Sequence, residues 1–345
     1  MNWFSDYMRR QFCLRLWGEL SPTRAATGVP QGSVLGPLLY LIYTNNINTL
    51  INNKYSKTFS YADDIALVVS HPNLETCEQI MQKNFNKLVK WSHDMGLVVN
   101  SKKTKIMHIR SPQYLTRKIN IITHCQHCLH TNLAFQLPCT CSETLETVSE
   151  FRYLGVWLDS RFKFDVHIQN LNNRLRSCSY LVFRLRNFVN SATLRTIYCT
   201  FIEHLVRYGL QCWGNTTAGY LQSVMRQKYR ILKAMCKTRP STLTHCKSYF
   251  RFFKVLPALQ LCRYTTVLTF HKNKHYRQVQ EHGYETRGAN TYVEPRYMNE
   301  YGRQLLDNIV PSLYNRLPAA VTQADKYSVL KKELFQWLLE SDWLT

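Results

Sequence analysis

No stretch of this chain is apolar for long enough to cross a bilayer. The longest run, VLGPLLYLIY at residues 34–43, is interrupted by Gly36 and Pro37, and a helical span needs ~20 such residues. The opening MNWFSDYMRRQFCLRLWGEL does not read as a secretory leader, since it has neither a long apolar core nor a small-residue cleavage site. Its aromatic and basic mixture looks instead like domain interior. Internal repeats and low-complexity tracts are absent, and acids are scarce. With 22 Asp+Glu against 44 Lys+Arg the formal charge is +22, a balance that attracts polyanions and makes their binding salt-dependent. An anionic membrane surface would meet the same charge, but without a span the expectation is a soluble protein with no membrane partner. It is expected inside the cell, in nucleus, cytoplasm or both, and not secreted. Twelve cysteines without a leader then read as reduced thiols rather than a disulfide scaffold. At 345 residues and 45% hydrophobic content, the chain can bury a sizeable core in two or three subdomains.

What is present centres on KTFSYADDIALVVS, residues 57–70, where Asp63 and Asp64 stand between two strand-like runs. Adjacent carboxylates repel and burial disfavours their charged forms, so each should take up a proton or find a cation. Phe59 and Tyr61 before the pair, with Ile65, Leu67 and Val68 after it, predict a β-hairpin whose turn is Asp63 and Asp64. The plain reading is an exposed turn in which aspartate serves its own local hydrogen bonds. The sharper reading is a site for a hard divalent cation such as Mg²⁺, held by one or two carboxylates and completed by substrate phosphates.

Just upstream lies TGVPQGSVLGPLLYLIYTNNI. Gly28, Pro30, Gly32, Gly36 and Pro37 crowd a loop, with the polar Gln31 and Ser33 between them, and make a surface on which a flat or phosphorylated ligand could press. Pro37 suits the first turn of the apolar helix expected from about 34 to 49. A second helix is expected from about 73 to 94, with Leu74, Cys77, Ile80, Met81, Phe85, Leu88 and Trp91 on one face and Gly96 as its breaker. KIMHIR then reads as a strand. Farther on, Arg226, Arg230, Lys233 and Lys237 are spaced to form one stripe of a helix. Leu221, Met225, Tyr229, Leu232 and Cys236 form a neighbouring apolar stripe that would dock it. A solvated face explains such a stripe as well as a partner does. With Arg174, Arg176, Arg184, Arg186 and the overall charge, it points towards a surface that tracks a nucleic-acid backbone.

The phrases GVPQGSVLGPLLY, FSYADDIALVV, GLVVNSKKTKIM and FRYLGVWLD, in that order, resemble reverse transcriptases of non-LTR (LINE-type) retrotransposons, jockey-like elements of insects above all. RYGLQCWGN, YETRGAN and LYNRLPAAV resemble the region that follows the polymerase core in that family. The resemblance implies an α+β fold, a partial palm with an antiparallel sheet backed by helices, followed by a mainly helical thumb and carboxyl-terminal region. Residues 1–112 would be the partial palm, 113–148 a variable Cys/His-containing insertion and 149–165 a primer-grip-like hairpin. Residues 166–250 would be the thumb and 251–345 a helical tail. It implies an RNA-directed DNA polymerase that uses Mg²⁺ or Mn²⁺, deoxynucleoside triphosphates, an RNA template, a DNA primer and the RNA–DNA duplex they form; the oligomeric state stays open.

On the same resemblance Asp63 would hold the catalytic Mg²⁺ ions and Asp64 would support the site, with Tyr61 and Ala62 against the primer end. Gly28, Pro30, Gln31, Gly32 and Ser33 match the loop that approaches the templating base and incoming nucleotide. Lys103 matches the lysine near the triphosphate, and Tyr153, Leu154 and Gly155 match the primer grip. One departure matters: the family draws an essential aspartate from a separate strand several tens of residues before the glycine loop. Only Asp6 and Glu19 precede Gly28 here, and neither sits in such a pattern. The chain is therefore expected to be a carboxyl-terminal portion of a polymerase, lacking fingers and the first palm strands, with an exposed sheet edge and no competence alone. The alternatives are a non-catalytic, basic nucleic-acid-binding remnant and an unstable remnant.

HCQHCLHTNLAFQLPCTC leaves a choice of its own. Cys125, Cys128, Cys139 and Cys141 could close a four-thiolate zinc site, with His124, His127 and His130 as alternative ligands. The Cys139 to Cys141 spacing is tighter than a structural zinc pair usually shows. A solvent-side hairpin is the stronger reading, and zinc is not expected.

Overall fold

The computed structural model describes residues 5–7, 9–22, 24–25, 28–29, 32–111, 118–123, 143–237, 245–273, 292–297, 299–322, 324 and 326–341. Two compact units divide the chain: Met1–His108 with Leu115–Val148, and Ile109–Tyr114 with Ser149–Thr345. Helices predominate, accompanied by small, mostly antiparallel two-stranded sheets, as an α+β chain requires.

In the first unit the apolar run expected as one helix folds as two, Gly36–Thr44 and Ile47–Ile51. The first starts with Pro37 in its opening turn, and the Ser33 hydroxyl accepts the Gly36 N–H at 3.0 Å. It stops where Asn45 and Asn46 follow, two residues of low helix propensity. The Asn46 side chain accepts the Trp91 indole N–H at 2.8 Å, which fixes the break against the next helix. That helix, Leu74–Asp94, begins as its sequence demands: the Asn73 side chain accepts the Thr76 N–H at 3.1 Å and so satisfies one of the free first-turn donors. It ends at Gly96, whose φ of 67° only glycine adopts easily. Phe85, Leu88 and Trp91 of the expected stripe are buried with Val89, and Ile47, Ile51, Ile106, Ile121 and Leu145 complete this core. Of KIMHIR only Lys105–Ile106 is a strand, and it pairs in parallel with Glu146–Thr147.

The second unit opens with a hairpin, Glu150–Tyr153 against Val156–Asp159. The half-exposed motif FRYLGVWLD ends in Asp159, whose buried carboxylate organises the turn into the next helix. One oxygen accepts the N–H groups of Arg161 (2.9 Å) and Lys163 (3.1 Å), and the other accepts that of Phe164 (2.5 Å). Phe164 then enters the helix Asp165–Leu185 from a left-handed conformation, φ 59°. That helix packs on Ala218–Met235 through Leu171, Leu175 and Val182 on one side and Leu221, Val224 and Ile231 on the other. The second helix buries more than the expected stripe, since Gln227 and Lys228 are also inside. Lys228 is fully buried and donates to the Leu256 carbonyl at 2.6 Å. Burial brings its ammonium down to about 8 against the opposing pull of Glu203, which itself pairs with Arg207. The helices Cys246–Phe252, Ala258–Asn273 and Tyr327–Glu340 close the core.

His167 sits beneath the hairpin, its ring 5.4 Å from that of Trp213 and its Nδ1 3.5 Å from the Trp157 N–H. Burial first, then the charges of Arg152 and Arg174, lower its pKa from the ordinary 6.5 to about 4. Between those values the unfolded imidazole carries a proton and the folded one does not, so stability falls as pH falls through that window. The second unit should therefore lose stability to this group as pH falls from about 6.5 to about 4. Thermal melts across that range should show the loss in the wild type and a flatter profile in His167→Gln.

Candidate active site

The register of the hairpin Ser56–Tyr61 and Asp64–Val69 pairs Tyr61 with Asp64 and Ser60 with Ile65. Its two-residue turn is therefore Ala62 and Asp63, one position earlier than the sequence suggests, and Asp64 opens the returning strand. Two-residue hairpins match the twist of their strands by taking positive φ at the first or both central positions. Ala62 does so at φ 51°, a conformation that costs a residue with a Cβ roughly 1 kcal/mol. Both carboxylates are exposed. Among the described residues neither has a hydrogen-bond or ion-pair partner. Water therefore solvates the pair, in place of the burial that would force a proton or a cation onto it. The Asp63 charge is still felt by the helix Gly36–Thr44: burial and then Asp63 raise the Tyr40 phenol above its ordinary value.

The side chains that hold this tip in place are asparagines. In an antiparallel pair of this register the N–H groups of Ser56 and Thr58 point away from the partner strand. Asn53 Oδ1 accepts from Ser56 at 3.1 Å, and Asn52 Oδ1 accepts from Thr58 at 2.6 Å. The Thr58 hydroxyl lies 2.8 Å from both Asn52 Oδ1 and Asn48 Oδ1. One hydroxyl has one proton to give, so the two amide oxygens are alternative acceptors for it. The Ser56 hydroxyl donates to the Ile51 carbonyl at 2.9 Å. One strand edge is thus closed by side chains, whereas no strand pairs with the outer edge of Asp64–Val69 among the described residues. Sequence reading missed the clamp, although its signal, TNNINTLINN immediately before the hairpin, was in view.

The remaining expected site residues are spread over both units. Gly28 and Gly32 are exposed with φ 77° and 81°, and nothing lies within 4 Å of where a side chain would begin. Within the chain their requirement for glycine is therefore conformational. The Gly28 carbonyl accepts from the Arg10 guanidinium at 3.3 Å. Ser33 accepts from the Tyr7 hydroxyl at 2.8 Å as well as from Gly36, so it anchors the helix start. Pro30 and Gln31 lie outside the described residues, as do Cys125, Cys128, Cys139, Cys141, His124, His127 and His130. Lys103 is exposed on a turn held by Asn100, whose carbonyl and side-chain oxygens each accept its N–H at 3.1 Å.

Tyr153, Leu154 and Gly155 belong to the second unit. Leu154 and Gly155 form a two-residue turn with φ 45° and 84°, the doubly positive arrangement that hairpins favour. The Tyr208 hydroxyl donates to the Leu154 carbonyl, and a side chain at Gly155 would begin 3.1 Å from the Tyr208 ring. Arg226 and Arg230 are exposed and Lys233 is half-buried on the helix Ala218–Met235, so this part of the basic stripe faces outward, whereas Lys237 is exposed beyond the helix end, past the extended Cys236. Arg174, Arg176 and Arg184 are exposed too. Arg186 differs: it is half-buried over the Phe183 ring at 4.1 Å and donates to the carbonyls of Ala234 (3.4 Å) and Cys236 (3.1 Å). It closes the end of the helix Ala218–Met235 and is committed to that role.

Residues 1–158 match the profile of the family described as reverse transcriptase (RNA-dependent DNA polymerase). This segment contains the glycine loop, the carboxylate hairpin, Lys103 and the Leu154–Gly155 turn. The chain is 25% identical over 282 residues to a probable RNA-directed DNA polymerase from transposon BS of Drosophila melanogaster, covering 79% of this chain and 28% of that protein. It is 23% identical over 316 residues to the corresponding protein of the X-element of the same fly, covering 89% and 32%. With the RNA-directed DNA polymerase from mobile element jockey, again of Drosophila melanogaster, it shares 24% identity over 225 residues, covering 63% and 22%. Residues 1–158 resemble reverse transcriptases, and the relatives the whole chain resembles come from non-LTR elements such as jockey. The reverse transcriptase segment is thus carried by a chain that spans less than a third of the length of these curated relatives. No solved structure matches.

Asn52→Ala leaves the Thr58 N–H without its acceptor and should destabilise the first unit by about 2 kcal/mol. Hydrogen exchange at the Thr58 amide should accelerate more than exchange in Glu150–Asp159. Equal protection in variant and wild type would mean that the clamp does not hold the hairpin.

Proposed function

We propose that this chain supplies part of an RNA-directed DNA polymerase, with nucleotidyl transfer onto a primer 3′-hydroxyl centred on Asp63 and Asp64. The observation that carries the reading is the partner-free carboxylate pair at the tip of a clamped hairpin. Two exposed oxygen donors free of competing cations fit a hard divalent ion, completed by substrate phosphates. Asp63, at the turn, would hold Mg²⁺, and Asp64 would flank it. When bound, such an ion acidifies an attacking hydroxyl and stabilises charge on the departing phosphate.

The chain's other residues then position and neutralise. Lys103, exposed on its turn, offers a cation to the triphosphate. Gly28 to Ser33 present backbone to the templating base and the nucleotide. Tyr153, Leu154 and Gly155 would support the primer as a grip, and Arg226, Arg230, Lys233 and Lys237 would follow the backbone of an RNA–DNA duplex. In this reading residues 1–112 are palm and 166–250 thumb. The two-metal arrangement calls for a carboxylate facing the pair, and no third acidic, cysteine or histidine side chain joins Asp63 and Asp64 among the described residues. We place that carboxylate on a partner segment rather than at Asp6 or Glu19, the acids before Gly28, so the chain alone would bind but not extend. A second reading, nucleic-acid binding without turnover, is favoured by the outward-facing basic stripe alone.

Primer extension on poly(rA)/oligo(dT) with Mg²⁺ or Mn²⁺ separates the two. The chain by itself should bind in a salt-sensitive manner without extending. Grafted into the jockey relative in place of the matching residues, it should extend, and Asp63→Asn should reduce that extension about a hundredfold or more. Extension indifferent to Asp63→Asn contradicts the catalytic assignment; extension by the chain alone contradicts the need for an outside carboxylate.

A further inference from the structure

The second unit contains a cavity of about 550 Å³ that the polymerase reading leaves unused, walled by Arg251, Lys254, Tyr264, Lys331, Lys332 and Phe335. The helix Tyr327–Glu340 turns one face to it, since Ser328, Lys331, Lys332, Phe335, Gln336 and Leu339 recur at helical spacing. Its buried leucines, Leu330, Leu334 and Leu338, occupy the adjacent face and lock the helix into the core. The two lysines therefore stand on a rigid wall. Across from them, Arg251 donates to the carbonyls of Leu339 (3.4 Å) and Glu340 (3.1 Å), pinning the corner between helices while keeping its charge. Lys254 is held at that corner in a left-handed conformation, φ 50°, with the Arg195 guanidinium donating to the preceding Phe253 carbonyl at 2.8 Å. Glu340 is the one acid in the lining, and Gln336 donates to its carboxylate.

Among the described residues Lys254, Lys331 and Lys332 have no acidic partner at ion-pair distance. Three unpaired ammonium groups with Arg251 converge on a space too small for a duplex and sufficient for one or two nucleotides. Half-buried Phe335, edge-on to Tyr264 at 5.8 Å, gives that space an apolar floor. Single-stranded nucleic acid offers phosphates in series together with flat bases, which suits cations set around an aromatic wall.

We propose that this cavity is a binding site for the phosphodiester backbone of a single-stranded nucleic-acid segment, RNA by preference of source for an RNA-copying element. The assignment extends the nucleic-acid reading to a second place but does not require catalysis, so its test stands whether or not extension is observed. The full chain is titrated with a short fluorescein-labelled oligouridylate across a range of salt. Lys331→Glu with Lys332→Glu should weaken binding about tenfold or more, and the salt slope should fall by roughly 1.4. Lys254→Gly removes a cation while relieving the positive-φ strain, so this variant should melt no lower than wild type and still bind several-fold more weakly. Arg226→Ala should act independently of the pocket variants. Unchanged affinity and slope in folded Lys331→Glu/Lys332→Glu and Lys254→Gly proteins overturns the proposal. So does an oligoglutamate of equal charge that displaces the RNA equally well, which would make the cavity a site for acidic peptides.

Discussion

The active geometry proposed for this chain depends on the hydrogen bond between the Thr58 amide and the Asn52 side chain, 2.6 Å long. A two-stranded hairpin is marginal by itself in water, and this one carries two like charges at its tip with no ion-pair partner among the described residues. What keeps it in place is attachment along one edge. Asn52 and Asn53 supply acceptors that a neighbouring strand would otherwise provide, and with Asn48 they belong to the helix Ile47–Ile51 and the two residues after it, which Ile47 and Ile51 fix to the core. The polar clamp and the apolar anchor thus alternate within ten residues. Repulsion between the carboxylates is tolerated because solvent surrounds them, and a cation arriving from solvent would meet ligands already in position.

The second unit uses the same device with the opposite sign of exposure. Asp159 is buried, but three backbone N–H groups satisfy it, and it converts a hairpin into the start of a long helix. A carboxylate with several amide donors is a structural group; a carboxylate without them is available for chemistry. That contrast, more than the number of acids, separates Asp159 from Asp63 and Asp64.

Much of this could be read from the chain before its structure. Periodicity located Leu74–Asp94 to its cap and its Gly96 stop, because a long amphipathic helix repeats its signal many times. The outward face of Arg226 and Arg230 followed from spacing for the same reason, whereas Lys237 falls beyond the end of the helix. Short elements were less legible. The run from 34 to 49 reads as one helix because apolar residues dominate it, whereas it breaks at Asn45 and Asn46, and the bond from the Trp91 indole to Asn46 that holds the break is visible only in the fold. The hairpin turn was misplaced by one residue because Asp is a better turn former than Ala, and the register instead forces Ala62 to φ 51°. Arg186 counted as a surface cation by composition, yet carbonyls at a helix end recruit it. The cavity beside Lys331 and Lys332 joins helices distant in sequence, and no local pattern announces it.

The central claim is that the clamped pair Asp63 and Asp64 is a divalent-cation site. Methyl NMR during a Mn²⁺ titration reads this directly, because a bound paramagnetic ion broadens signals nearby even at weak affinity. The account predicts broadening of the Ala62 and Ile65 methyls at low Mn²⁺, its loss in Asp63→Asn, and competition by Mg²⁺. Broadening that spares these methyls, or that persists unchanged in Asp63→Asn, would contradict it.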